Sequence, residues 1–211
     1  MDLRPISTPA SDEERAALDA LLGPVGGVKR PIGLHEAGGL RHLLLPALHA
    51  IQERFGWVTP GALGYACERL HVPPAEAYGV ASFYALFALA EQPPVALHVC
   101  DDLACHLAGA PKITAELERA LGPEGDARGG RTWHRSPCLG QCERAPAALL
   151  TVAGEEPRTC ALVSADAKAM GRALERREAA AAPSTKLPQV GRDGGRYPLP
   201  AARFPQPGVG Q

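Results

Sequence analysis

Four of the six cysteines stand in two pairs, Cys100-x4-Cys105 and Cys138-x3-Cys142, and each pair follows a short apolar run. The first run is Val95-Ala96-Leu97-His98-Val99, set between Pro93-Pro94 and an acidic loop; the second is Thr132-Trp133-His134. Short runs bounded by turn residues read as strands. Although 32 residues separate the pairs, parallel neighbouring strands would deliver both cysteine loops to one edge of a sheet. No other feature of the chain restricts its topology as tightly.

The surrounding pattern is α/β. Pro111 to Leu121 carries Ile113, Leu117, Ala120 and Leu121 at helical spacing and closes at Gly122-Pro123. Ala147 to Val152 and Thr159 to Val163 read as two more strands joined by the turn Gly154-Glu155-Glu156-Pro157, and Ser164 is placed to cap a last helix through about Arg177. The order β, α, β, β, β, α is that of a small α/β sandwich over residues 93–180.

Before Pro93 the period is helical. Ser11-x-x-Glu14 is a capping box ahead of a short helix that Gly23-Pro24 stops. From Leu40 the apolar residues Leu43, Leu44, Ala47, Leu48 and Ile51 recur at threes and fours as far as Gly56. Thr59-Pro60 reads as N-cap and first residue of a helix whose Leu63, Ala66, Cys67 and Leu70 face a core. The expected fold class is α+β: an N-terminal extension over 1–35, a helical domain over 36–92, the α/β domain over 93–180, and a disordered tail over 181–211. Beyond Ala182, eleven of 29 residues are Gly or Pro and no period survives.

Charge and length exclude several roles. Lys and Arg number 22 against 23 Asp and Glu, which leaves no positive excess to displace counterions from a nucleic acid. The stretch Ala77 to Ala90, fourteen residues without a charge, is short of the roughly 20 that a direct membrane span needs. Met1-Asp2-Leu3-Arg4-Pro5 leads into polar residues rather than an apolar signal region, so the expected compartment is the cytoplasm, where thiols serve metals or chemistry rather than disulfides. Neither G-x-G-x-x-G after a strand nor a Walker A loop occurs, so no hydride-transfer site is expected on this chain.

Four thiolates from two loops suit a 2Fe-2S cluster, which takes four Cys ligands. Small neighbours (Ala104, Ala108, Gly109, Gly140) leave room for backbone N–H groups to approach the sulfurs and tune such a site. Zinc accepts four cysteines as well, though x3 and x4 loops this far apart are only tolerated. Buried or redox-active thiols are the third reading. A Rieske centre needs two histidines, for which His106 and His134 are poorly placed. Cys67 and Cys160 occupy apolar helix and strand positions and read as core thiols.

Three further stretches carry a resemblance. They are Leu45-Pro46-Ala47-Leu48-His49-Ala50-Ile51-Gln52-Glu53-Arg54-Phe55-Gly56-Trp57, Val72-Pro73-Pro74-Ala75-Glu76-Ala77-Tyr78-Gly79-Val80-Ala81-Ser82-Phe83-Tyr84, and Cys138-Leu139-Gly140-Gln141-Cys142 followed by Ala145-Pro146. Together with the cysteine spacing, over about residues 36–176, the chain resembles the NuoE-type subunit (thioredoxin-like 2Fe-2S family) of bacterial NADH:quinone oxidoreductase. The resemblance implies a helical N-terminal segment, then a thioredoxin-like domain with one 2Fe-2S cluster held by Cys100, Cys105, Cys138 and Cys142. It implies an electron-transfer subunit of an NADH dehydrogenase complex, exchanging single electrons with the FMN of a partner flavin subunit that binds NADH, with further iron-sulfur subunits beyond it. Through that complex the chain is expected in the cytoplasm or at the cytoplasmic face of the membrane. Similar subunits serve NAD-dependent formate dehydrogenases and NAD-reducing hydrogenases, and a zinc-stabilised scaffold module is the alternative of another class.

Two stretches depart from the family's usual residues: Asp101-Asp102 after the first cysteine and Glu143-Arg144 after the last. A carboxylate about 6 Å from an added electron, at an effective dielectric near 20, opposes it by roughly 3 kcal/mol, so Asp101 is a candidate to lower a cluster potential, with Arg135 or Arg144 offsetting it; the alternative is that the two acids only solvate their loop. Phe83, Tyr84 and Phe87 read as helical-domain core, with a docking surface for the flavin subunit as the alternative, His49 and Gln52 as solvated or packed helix residues, and His98 as facing either the cysteines or the opposite side of its strand.

Overall fold

In the computed structural model, which describes residues 8–23 and 37–177, two helices of the first half open on side-chain caps and one ends on a left-handed glycine. Helix α1 (Asp12–Leu22) opens on the capping box: the Ser11 hydroxyl accepts from the Glu14 N–H while the Glu14 carboxylate accepts from the Ser11 N–H. A 3-10 turn over Ala37–Leu43 leads into α2 (Leu44–Phe55), which ends at Gly56 in the left-handed conformation. Thr59 caps α3 (Pro60–Leu70), with Pro60 at the first position, where its missing N–H costs nothing. Helix α4 (Pro74–Phe83) follows. Their inward stripes, among them Leu18, Leu48, Ile51, Ala62, Leu70 and Ala77, merge into one apolar core. The Glu14 carboxylate also accepts from the Thr59 hydroxyl, so one acid serves the caps of two helices.

The second half is a four-stranded mixed sheet in the order β2-β1-β3-β4. Strand β1 (Val95–Cys100) runs parallel to β2 (Arg131–Ser136) and antiparallel to β3 (Ala147–Val152), which pairs antiparallel with β4 (Arg158–Val163). Between the parallel strands lie a short helix, α5 (Leu103–Leu107), and α6 (Ala110–Leu121); α7 (Ala167–Arg176) closes the domain. Leu97, Val99, Trp133 and Leu150 on one sheet face pack against Ile113 and Leu117 of α6 and Met170 and Leu174 of α7. Each fully buried side chain of this size contributes about 1.5–3 kcal/mol of hydrophobic stabilisation.

The two halves meet at Gly56. A Cβ there would lie 3.3 Å from Pro94 Cα and 3.5 Å from Ala153 Cβ, and φ is +83°, so both the helix stop and the close approach favour glycine. Gln52 Nε2 and Gln92 Nε2 both donate to the Gly56 carbonyl, and the Gly154 N–H donates to the Glu53 carbonyl across the junction. The His49 ring lies tilted against Phe87 at 4.9 Å while the residue stays exposed, and Gln52 is half-buried, so His49 is the solvated residue of the two and Gln52 the packed one. A cavity of about 310 Å³ remains between the halves, lined by His49, Gln52, Phe87, Ala96, His98 and Leu149 among others.

Four expectations need correction. Ser164 does not cap α7: it sits at φ +49°, and Asp166 accepts from the Ala169 N–H instead, two residues later. Cys160 is only half-buried on the edge strand β4, unlike Cys67, which is core. Phe83 and Tyr84 are exposed, Phe83 to 79%, because α4 ends at them and turns their rings outward; only Phe87 packs on the helical core. Helix α5 was not expected at all. The proposed tail and most of the N-terminal extension lie outside the described residues.

Candidate metal centre

Parallel pairing in level register does what the cysteine spacing requires. Cys100, the last residue of β1, stands opposite Ser136, the last residue of β2. Both chains therefore leave the sheet side by side. From Cys100 the chain passes through Asp101 and Asp102 into α5, where Cys105 is buried; from Ser136 it passes through Pro137 to Cys138 and on to Cys142, which begins a 3-10 turn ending at Arg144. A cis Ala145–Pro146 bond then leads into β3. Helix α5 touches the Cys142–Arg144 turn, which closes the ring of elements.

The first pair of thiols belongs to the hydrophobic interior and the second does not. Cys100 and Cys105 form a small apolar cluster with Ala110 and Ala147, against which Leu139, Ala145 and Val163 pack. Cys138 and Cys142 are exposed, with their sulfurs 3.4 Å apart. Gly140, at φ +72°, turns its N–H toward the Cys138 sulfur at 3.4 Å, as the sequence led us to expect of a small residue there.

The thiols interact as one set. Burial, followed by the Cys100 thiol, pushes Cys105 up to about 11, with Cys142 adding to the rise and the Ala147 N–H opposing it. Cys142 is raised chiefly by its hydrogen bond to Cys138, with Cys100 also contributing. Cys105 and Cys142 thus each respond to a sulfur of their own pair and to one of the other pair. Thiolates so placed repel one another, and a bound cation reverses the sign, because a coordinating thiol is deprotonated outright. Among the described residues no group of three or more His, Cys, Asp or Glu side chains closes around a point as a single-ion site.

The nearby polar groups take definite partners. Asp101 Oδ1 lies 3.3 Å from His106 Nδ1, and Asp101 Oδ2 lies 3.7 Å from Arg135 Nη1. Asp102 accepts from the Leu103 N–H at 2.7 Å and from the Cys138 N–H at 3.1 Å. Arg144 donates to Gln141 Oε1 at 2.9 Å, and its carbonyl accepts from the Ser164 N–H at 2.8 Å. His134 stacks on His98 at 5.9 Å, so neither His106 nor His134 turns to the thiols in the manner of a Rieske ligand. His98 shares the β1 face of Cys100 but opens onto the cavity between the halves; burial, then the His134 charge, lowers it to about 4.

Known proteins share much of this sequence. The chain is 32% identical over 123 residues to the E subunit of the NADH-quinone oxidoreductase of Pseudomonas aeruginosa, covering 56% of this chain and 72% of that one. With the corresponding E subunit of Escherichia coli it shares 34% identity over 119 residues, covering 54% and 70% of the two chains. A crystal structure of an NAD+-reducing NiFe-hydrogenase in the air-oxidised state aligns over 66% of this chain and 23% of the hydrogenase chain, at 24% identity and a TM-score of 0.47. Residues 33–158, a span that includes all four paired cysteines, match the family described as thioredoxin-like 2Fe-2S ferredoxin, and the chain belongs to that family.

Proposed function

We propose that Cys100, Cys105, Cys138 and Cys142 are the ligands of one 2Fe-2S cluster, and that the chain is the electron-transfer subunit of an NADH dehydrogenase complex of the NADH:quinone oxidoreductase type. The observation that carries this reading is the arrival of two cysteine-bearing loops, 32 residues apart in the chain, at one end of two parallel strands, where the Asp102 carboxylate of one accepts from the Cys138 N–H of the other. The donor set fits: the sulfurs stand as two pairs, Cys100 with Cys105 and Cys138 with Cys142, and four cysteine sulfurs are the complement that a two-iron cluster takes. Such a cluster, when bound, takes up and gives back one electron at a time.

The chain's own residues supply the rest. Ala110, Ala147, Leu139 and Val163 keep water from the buried side of the thiols, and low local polarity with N–H donors is what sets the potential of such a centre. The Gly140 N–H, aimed at the Cys138 sulfur, stabilises negative charge there. Arg135, paired with Asp101, limits the field that this acid would otherwise impose.

The proposed partner is a flavin subunit binding FMN and NADH, with further iron-sulfur subunits beyond. Leu103 and Leu107, 72% and 79% exposed, lie four residues apart on the short helix that carries Cys105. Apolar surface at that spot suits a site where another chain covers the thiols and brings a redox group near.

Anaerobic purification tests the reading. Coloured protein with about two irons and two labile sulfides per chain, and an EPR signal that grows in on reduction, supports it. Colourless protein with stoichiometric zinc would instead favour the scaffold module. Isolation of the native complex then identifies the catalytic chain beside it and separates an NADH dehydrogenase from a formate dehydrogenase or a hydrogenase.

A further inference from the structure

The two acids that follow Cys100 do different things, and only one of them faces the other cysteine loop through a hydrogen bond. Strand β2 ends at Ser136, and its last rung is the Asp101 N–H donating to the Ser136 carbonyl at 3.0 Å. Pro137 has no N–H. The next donor along that chain is the Cys138 amide, and it has left the sheet. Asp102 Oδ2 accepts from it at 3.1 Å, while Oδ1 accepts from the Leu103 N–H at 2.7 Å at the start of α5. The Asp102 carbonyl in turn accepts from the His106 N–H at 2.8 Å, within the turn that carries Cys105.

We propose that Asp102 is a positioning residue: its carboxylate replaces the missing rung of the β1–β2 ladder and fixes the distance between the Cys100–Cys105 loop and the Cys138–Cys142 loop. The proposal rests on the four cysteines being the cluster ligands. Only a side chain with two acceptor atoms on one rigid plane can cap α5 and reach the Cys138 amide at once. A hydroxyl caps but is too short to bridge. Because the bridge holds the exposed pair in place, its loss acts on how firmly a cluster is retained rather than on whether the sheet forms. A charged acceptor makes the stronger kind of hydrogen bond, and partners that orient metal ligands typically matter 10–100-fold to metal retention.

The test uses the full 211-residue chain, purified anaerobically as wild type, Asp102→Ala, Asp102→Ser and Asp102→Asn. The readouts are the rate of iron release to a chelator, the width of the EPR signal, and amide exchange at Cys138. Ser preserves the cap and removes the bridge, so Ala and Ser are both expected to release iron at least about tenfold faster than wild type, with a broadened signal and faster Cys138 exchange. Asn, which keeps one acceptor, is expected to fall between. Thermal melts within a few degrees of wild type will show that the fold persists, and the Ser variant covers the case in which Ala does not fold. If Ser matches wild type in iron release and Cys138 exchange, Asp102 is a helix cap alone and the proposal fails while the ligand assignment stands. Wild-type protein that holds no iron would overturn both.

Discussion

The two halves of the cysteine site are built on opposite terms. Cys100 and Cys105 are 3% and 2% exposed, one at the end of a central strand and the other on a helix, packed by Ala110 and Ala147. Cys138 and Cys142 are exposed on an irregular loop tied down by single contacts: the Asp102 carboxylate on the Cys138 amide, Arg144 on Gln141, and the Ser164 N–H on the Arg144 carbonyl. Hydrophobic burial fixes the first half, whereas the second rests on hydrogen bonds that water can replace and on one partly buried apolar anchor, Leu139. A site made this way has its position set by one loop and its completion by the other.

That contrast can be broken from beneath. Trp133, 2% exposed on β2, packs with Leu97 and Leu150 and donates its ring N–H to the Gly122 carbonyl at 3.0 Å. Trp133→Ala is expected to cost about 3–5 kcal/mol in a urea melt, and to loosen both loops together because both spring from the ends of β1 and β2. A loss below about 1 kcal/mol would mean that the strand ends are not held by this core.

Trapping sharpens the comparison. In the metal-free chain, a thiol reagent is expected to label Cys138 and Cys142 about tenfold or more faster than Cys100 and Cys105, since buried thiols react only after local opening. Mild oxidation should join Cys138 to Cys142, whose sulfurs are 3.4 Å apart, before any bond forms between the loops. Peptide mapping at timed intervals reads both. Equal labelling of all four would erase the distinction between a fixed and a tethered half.

How much of this was legible follows from the range of the forces involved. The capping box at Ser11, the stop at Gly56 and the two short strands ahead of the cysteine pairs rest on neighbours within a few residues or on simple periodicity, and the structure has each of them. The parallel pairing that brings the cysteine loops together stands in the sequence only as the condition for their meeting, and the sheet supplies it. The Asp102 bridge spans 36 residues, so no local pattern encodes it. The clue available was the pair Asp101-Asp102, read as a source of field when one of the two is a fastening. Ser164 looked like a cap because it precedes the helix, but the turn at positive φ hands that task to Asp166. Phe83 and Tyr84 read as core ahead of a docking surface because aromatic residues usually are core; the helix end turns both rings outward and overturns that order.

The smallest expected effect concerns the same acid pair. Asp101 is joined to His106 and Arg135, so its charge reaches the thiols already partly offset. Asp101→Asn is expected to raise the midpoint potential by only a few tens of millivolts, well short of the roughly 120 mV that a bare carboxylate about 6 Å away would give. A potentiometric titration of the purified chain checks it, and an unchanged potential would show that Arg135 cancels the acid fully.

Iron content across six single Cys→Ser variants of the full chain tests the ligand assignment most directly. Replacement of Cys100, Cys105, Cys138 or Cys142 should each take the chain well below about two irons, whereas Cys67→Ser and Cys160→Ser should keep the wild-type content and EPR signal. Full iron in any of the first four, or its loss in either of the last two, would contradict the account.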